Sequence, residues 1–308
     1  MIEAVTYIVY TMLVYATPIL LAASGELISE RAGVLNLGIE GSMLMAAFIS
    51  YYITLTTGDV TLGVIAGLLW GLTAGTIIAL FEVIIGCDYI VTGIGFNIMM
   101  IGLTSFLFEK LVVSVYHKIP YVKGITAVYI PFLSQIPIIG KVLFSQHILT
   151  YIAFLLVLPL WFLLNKTTWG LKIRASGENP EATYALGVNV VLVRFLASII
   201  GNIFIALAGI SLCLELTKTF MHVMTAARGF IAISLVIFSG WNIVKLLPGS
   251  IFYGFLYSLP AVMQAFKVPL PYQILLTIPY IVTIAFMSIA YKRVKPPSAL
   301  MKPFIWKK

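Results

Sequence analysis

The strongest constraint on this chain is the spacing of its apolar runs. Nine stretches nearly free of charge, at about 4–23, 42–57, 60–85, 90–112, 147–165, 192–214, 229–241, 246–266 and 272–291, alternate with short polar connections. A run of about 20 apolar residues is what a helix needs to cross a hydrocarbon layer roughly 30 Å thick. Lipid offers no hydrogen bonds, so each run must satisfy its backbone within a helix. Only 10% of the residues are charged and the mean hydropathy is +1.07, whereas soluble domains carry about 25% charged residues. The predicted fold class is therefore all-α: a polytopic transmembrane bundle of about nine spans (eight to ten), forming one domain over 1–308. The runs 42–57 and 229–241 are too short to cross as straight helices. Short segments flanked by glycine in both halves of a chain point to discontinuous helices lining a path.

The net charge of +8 would hint at nucleic acid in a soluble protein. Here the basic residues fall between the apolar runs and read instead as orientation signals; no basic stripe or stacking platform for nucleic acid is present. Twelve of the 19 Lys and Arg residues fall on one side: Arg31, Lys166, Lys172, Arg174, Arg194, Lys245 and six in the tail from Lys292. That side is predicted to be cytoplasmic, with the C-terminus inside. The first run has no basic leader before it and contains Pro18, and it reads as a retained span rather than a signal peptide. The connection 113–146, with Pro120, Pro131, Pro137, Gly124 and Gly140, reads as an irregular external loop over the mouth of the bundle. Cys87 and Cys213 fall near opposite faces and read as unpaired fillers.

Several patterns within the runs carry more specific meaning. Gly63, Gly67, Gly71 and Gly75 recur every four residues, which puts them on one helix face and allows close approach of another backbone. The stretch Glu30-Arg31-Ala32-Gly33-Val34-Leu35-Asn36-Leu37-Gly38-Ile39-Glu40-Gly41 mixes charge and glycine with apolar residues at the edge of a span. A helical turn would place Asn36 and Glu40 on one face, and polar groups at membrane depth must face protein or a water-filled path. Asn97 and Asn202 lie inside apolar runs, able to bind a polar solute or tie helices together. Glu82 and Glu109 sit near span ends and read as solvated. A weak internal echo relates Leu20–Ile39 to Ile205–Ile233, each passing from a small-residue helix through a polar turn to glycine and an apolar restart; such units lie oppositely in inverted repeats.

The connection 170–191 contains a helix of about two turns. Asn179 is a good N-cap, Pro180 suits the first helical position, Glu181 suits the positive end of the dipole, and Gly187 is a natural stop. So short a helix is unstable alone and makes sense as an element that docks into a partner, with Ala182 and Ala185 as a slim apolar face. No signal for covalent chemistry accompanies it. The pair Gly140-Lys141 lacks the rest of a phosphate loop, and no HExxH or GxSxG occurs. His117, His147 and His222 are isolated and read as surface residues rather than metal ligands.

With these motifs on the page the chain resembles a known family. GELISERAGVLNLGIEGSMLMAAF (25–48), IPFLSQIPIIGKVLFSQHILTY (130–151), WGLKIRASGENPEATYALGVNV (169–190), MTAARGFIAISLVIFSGWN (224–242), PYQILLTIPYIVTIAF (271–286) and the tail Pro297-Ser298-Ala299-Leu300 resemble the inner-membrane permeases of the branched-chain amino acid/simple sugar ABC importer group, most closely the nucleoside-type branch. The resemblance implies a non-catalytic, cofactor-free permease of the cytoplasmic membrane. Its implied partners are ABC ATPase subunits that use the ATP, a second and homologous permease subunit, and an extracytoplasmic solute-binding protein. It further implies that Glu178, Asn179, Pro180, Glu181 and Ala182 belong to the coupling helix that receives the ATPase motion. Two departures stand out: glycine is expected where the chain has Ala227, and a basic residue where it has Ser239. Residues 218–223 are also atypical.

The reading is thus a permease moving nucleosides, or alternatively a simple sugar or riboflavin, by alternating access, with Asn36, Glu40, Asn97 and Asn202 bordering or supporting the path. A stand-alone secondary transporter would need more ionisable residues inside the membrane. An intramembrane enzyme would need a converging nucleophile, base or metal set.

Overall fold

The computed structural model describes residues 2–129, 131, 134, 139–266, 272–290 and 294–304. The described residues are almost entirely helical. The main helices are α1 (Ile2–Arg31), α2 (Ile39–Thr57), α3 (Val60–Ile85), α4 (Tyr89–Tyr116), α5 (Ile148–Lys166), α6 (Thr168–Glu178), α7 (Pro180–Ala185), α8 (Val190–Thr217), α9 (Arg228–Phe238), α10 (Ile243–Ala265) and α11 (Tyr272–Ala290). Seven of them, α1 to α5, α8 and α10, are long and apolar enough to cross a membrane, while α9 and the stretch Gln273–Ala285 of α11 are shorter apolar helices. The bundle has two ends. One, the α7 end, gathers Arg31, α6, α7 and the tail 294–304; the other, the loop end, gathers the connection after α4.

Two expectations need correction. The first span does not stop near residue 23: α1 runs on to Arg31, and Glu26 and Glu30 lie inside it, fully buried. Nor is the second segment a short helix. It starts at Ile39 and has 19 residues, about 28 Å at 1.5 Å per residue. What interrupts this crossing is the buried, non-helical stretch 32–38 ahead of it. Of the two runs expected to be short, α9, with 11 residues, is indeed too short to cross. At about 16 Å it covers half the layer, and the irregular segment 218–227 supplies the other half. Of the predicted external loop 113–146, residues 113–116 are still helical, whereas 130, 132, 133 and 135–138, with Lys267, Lys292, Arg293, Lys307 and Lys308, lie outside the described residues.

α1 and α8 form the centre, and their contact depends on missing side chains. A Cβ on Gly25 would come 2.2 Å from the Gly201 carbonyl oxygen, and one on Gly201 would come 2.7 Å from that of Gly25. α10 reaches α1 the same way, through Gly254 against the Met12 carbonyl. The glycine stripe of α3 serves two neighbours: Gly63 abuts Ser50 and Thr54 of α2, while Gly67, Gly71 and Gly75 abut Ile210, Ala206 and Ile199 of α8. Lipid gives no hydrophobic reward for bringing helices together, so close backbone packing of this kind carries much of the association.

α3, α4 and α8 each end in wider, π-helical turns: Leu80–Ile85, Glu109–Val113 and Ser211–Thr217. At the loop end the chain after α4 pairs with the last of these, Val122 and Ile125 donating to the carbonyls of Lys218 and Leu214.

The glycine contacts give a paired test. Gly201→Ala should lower stability by at least about 1–3 kcal/mol through overpacking. Gly102→Ala, at a site with nothing within 4 Å of the added carbon, should be neutral or stabilising by up to about 1 kcal/mol. Thermal unfolding of the two purified variants in detergent reads the difference.

Candidate functional site

Because 32–38 lacks helical hydrogen bonds, its backbone polar groups need other partners inside the bundle. Side chains from three helices provide them. From α1, Glu26 accepts the Asn36 N–H at 2.9 Å. From α4, Asn97 accepts the Gly41 N–H at 2.7 Å and donates to the Leu37 carbonyl at 2.5 Å. Gly93, one turn earlier, leaves room for Leu37, to which a Cβ would come within 2.5 Å. From α8, the Asn202 side-chain oxygen accepts from both Asn36 Nδ2 (3.2 Å) and Ser42 Oγ (3.0 Å), while its own amide donates to the Ser198 carbonyl at 2.9 Å.

At α9 the direction reverses: Glu40 of α2 serves the broken span opposite. One carboxylate oxygen accepts the Ala227 N–H and the other the Gly229 N–H, each at 2.7 Å. No side-chain cap precedes α9, and Ala227 itself lies at φ 56°. Glu40 is therefore an N-cap supplied from a distant part of the sequence, with its charge at the positive end of the helix dipole. Gly229 is required at that approach, since a Cβ there would lie 2.7 Å from the Glu40 carboxylate. The left-handed backbone at 227 also accounts for the glycine that the family resemblance expects there.

The other end of α9 is held by α1. The Trp241 indole N–H donates to Glu30, and Arg31 donates twice to the Trp241 carbonyl, at 2.9 and 2.6 Å. The two ends of the half-helix are thus gripped separately, one by α2 and the other by α1.

The structure brings Asn36, Glu40, Asn97 and Asn202 together around residues 36–42, and all four are buried, with 5% exposure at most. The hydrogen bonds they make are to the chain itself, so they shape and brace the broken spans. Glu26 and Glu30 belong to the same constellation but escaped the sequence reading, which treated 24–41 as a connector; their four-residue spacing beside Arg31 was the available signal. Glu82, predicted to be solvated, is fully buried. It sits in the π-helical end of α3 that turns in against α8, and neither oxygen has a hydrogen-bond partner among the described residues. Glu109 is exposed, as its place at a span end implies.

Asn179 caps α7 by accepting the Ala182 N–H at 3.0 Å, with Pro180 at the start of the helix and Gly187 left-handed just beyond it. Glu178, Glu181, Ala182, Tyr184 and Ala185 are exposed, and Leu186 is 85% exposed. The preceding α6, which the sequence did not reveal, anchors this protruding turn to the break after α1. Ser176 Oγ donates to the Ala32 carbonyl at 3.2 Å, and Gly177 lets the Arg31 carbonyl approach to 2.2 Å from where a Cβ would stand. The tail fastens the same junction. Ala299 N–H donates to Gly177 and Met301 N–H to Gly33, Ser298 Oγ donates to Glu178, and buried Arg194 donates to the carbonyls of Lys302 and Ser176.

Among the described residues no group of three or more His, Cys, Asp or Glu is placed to hold a metal ion. Cys87 and Cys213 are unpaired.

Comparison with known proteins agrees with this architecture. Residues 8–287 match the family model described as branched-chain amino acid transport system/permease component. A putative glucose ABC transporter permease protein, TsgC13 of Haloferax volcanii, is 33% identical over 94% of each chain. The guanosine ABC transporter permease protein NupQ of Bacillus subtilis is 33% identical over 99% of this chain and 98% of its own. The nucleoside ABC transporter permease protein NupC of Lactococcus lactis is 30% identical over 97% and 96%. No solved structure matches the chain.

The Glu40 bridge can be tested by stability. Glu40→Ala leaves two buried N–H groups without an acceptor and should cost about 3 kcal/mol or more, at roughly 1.5–3 kcal/mol for each hydrogen bond to a charged group. Glu40→Gln keeps one acceptor and should cost about half as much. Denaturation of the purified variants in detergent ranks the two.

Proposed function

Since this chain belongs to the family of permease components of branched-chain amino acid transport systems, we propose that it is the nucleoside-conducting subunit of its ABC importer, driven through α7 by ATPase partners. The observation that carries the reading is the state of α7: a capped turn, exposed on nearly every side, joined within a few hydrogen bonds to the break at 32–38. An element too short to be stable alone, yet held rigidly at the bundle surface, is suited to receive force. Glu178, Asn179, Pro180, Glu181 and Ala182 form the face offered to the ATPase. ATP stays with that partner; the permease contributes shape and hydrogen bonds and needs no cofactor of its own.

The excess of Lys and Arg at the α7 end supports placing that end, with the C-terminus, in the cytoplasm. The loop end then faces outward, towards a solute-binding protein. A second, homologous permease completes the pathway. ATP binding and hydrolysis shift α7 and with it the α1–α2–α9 body, so that access alternates between the two sides. In this reading Asn36, Glu40, Asn97 and Asn202 support the path from behind rather than touch the solute.

Nucleosides are favoured by the printed names of two full-length relatives, which say guanosine and nucleoside. The relative named for glucose makes a sugar the alternative. In proteoliposomes bearing the whole importer, uptake of tritiated guanosine should depend on ATP and be competed by other nucleosides but not by excess glucose; the opposite competition pattern would establish the sugar reading. Leu186→Asp with Asn179→Ala should reduce ATP-driven uptake at least about tenfold and weaken co-purification of the ATPase, with the permease still present at normal abundance in the membrane. Undiminished uptake would remove α7 from the coupling role.

A further inference from the structure

The segment 218–227 enters the bundle from the loop end without regular structure. Lys218, Val223, Ala226 and Ala227 all adopt left-handed backbone conformations, at φ 55°, 52°, 45° and 56°. Conformations so unfavourable for residues with a Cβ persist only where surrounding contacts impose them. Here Glu40 holds Ala227, and the Tyr280 hydroxyl donates to the Ala226 carbonyl at 2.8 Å. Phe220 anchors the entry: it is 1% exposed and packs against Phe48, Tyr51 and Phe108.

Between these anchors the chain turns Met221, His222 and Val223 outward. Met221 is 48% and Val223 44% exposed, and His222 is exposed. The imidazole is nevertheless placed with care. It meets the buried Phe108 ring edge to face at 5.1 Å, and its Nδ1 lies 3.4 Å from Ser105 Oγ. Its other ring nitrogen has no hydrogen-bond partner among the described residues.

Depth gives this arrangement its meaning. Ser105 stands one turn inside the exposed Glu109–Lys110 pair of α4, about 6 Å within the span at 1.5 Å per residue. Phe48, below Phe220, is near the middle of α2. Irregular backbone and an open imidazole at that depth are tolerated only against protein or water, not lipid. Beside it α4 presents Gly102, which has open space around it.

We infer that His222, positioned by Ser105 and Phe108, is a specificity-determining contact for the transported solute, binding a planar nitrogen heterocycle of the nucleobase type through its open ring nitrogen, with Met221 and Val223 as flanking apolar walls. The inference rests on the reading of the chain as one wall of a solute pathway, and it assigns recognition to a residue outside the buried Asn and Glu network. Flexible Met beside a polar anchor suits a site that accepts several related rings.

Two measurements on the whole importer separate the possibilities. In a Cys87→Ala/Cys213→Ala background, His222→Cys should react with a hydrophilic, membrane-impermeant thiol reagent, and guanosine delivered by the binding protein should slow the reaction severalfold. A thiol that reacts only with a lipid-soluble reagent would overturn the inference. In proteoliposomes, His222→Ala should raise KM for tritiated guanosine about tenfold with little change in maximal rate or ATP hydrolysis, and His222→Asn should recover part of the loss. An unchanged KM in His222→Ala would also overturn it. If the unaltered importer carries glucose and not guanosine, the nucleoside reading and the proposed heterocycle contact fall together. If it carries guanosine and His222→Ala is silent, only the contact falls.

Discussion

The two carboxylate oxygens of Glu40 and the two amides they hold, at Ala227 and Gly229, are the junction on which the rest of this bundle depends. A half-helix ending in the middle of a membrane leaves N–H groups unpaired where no water can reach them, and each such group costs several kcal/mol. It also leaves the positive end of a helix dipole uncompensated. One glutamate resolves both problems because its carboxylate spans two donors two residues apart. Glu40 reaches the required place only because the chain after α1 turns back into the bundle before α2 starts. The broken span 32–57 and the broken span 218–238 therefore make each other possible: the first supplies the cap, and the second supplies the donors that satisfy a buried carboxylate.

This mutual dependence has a mechanical consequence. α9 is bonded to Glu40 at one end and, through Trp241, to Glu30 and Arg31 at the other, all within the unit formed by α1 and α2. A displacement of α1 is imposed on α9 at its Trp241 end and a displacement of α2 at its Glu40 end. At the α7 end, Ser176 and Gly177 meet the first residues of the 32–38 break, and the tail is laid across the same junction. The route from the exposed turn of α7 to the middle of the membrane thus runs through short, directed contacts rather than through long side chains in mobile surroundings. That is the physical requirement for moving an element by pushing on another: compliance along the route must be low.

How much of this was legible in the sequence follows from the range of the interactions. The cap of α7 was readable because Asn179, Pro180 and Gly187 act on backbone within a few residues. The α3 stripe was readable because four-residue spacing fixes a helix face whatever it meets. That the apolar runs are helices followed from hydropathy alone, and seven of the nine are long and apolar enough to cross. Asn36, Glu40, Asn97 and Asn202 stood out because polar groups in apolar runs need an explanation, but most of their partners are distant in sequence, up to 189 residues away. Local pattern could not say whether they face solute or protein. Glu26 and Glu30 were missed for a related reason. A carboxylate near the end of an apolar run is solvated if the helix stops there and buried if it continues, and α1 continues eight residues past the apparent end of its run.

The internal echo between Leu20–Ile39 and Ile205–Ile233 gains physical content from the same residues. α1 runs towards the α7 end and α8 away from it, each leading into a break and then a further helix. In the stretches LLAASGELISE and IALAGISLCLE the eleventh residue is a glutamate in both, Glu30 and Glu215. Each is buried and each accepts an N–H from a different element, Glu30 from Trp241 and Glu215 from the Leu149 amide at the start of α5. Opposite ends of the bundle are thereby pinned by equivalent carboxylates on the two central helices, which themselves touch backbone to backbone at Gly25 and Gly201. Two central helices of opposite direction, each fastened to a different outer element, are thereby tied to opposite ends of the bundle.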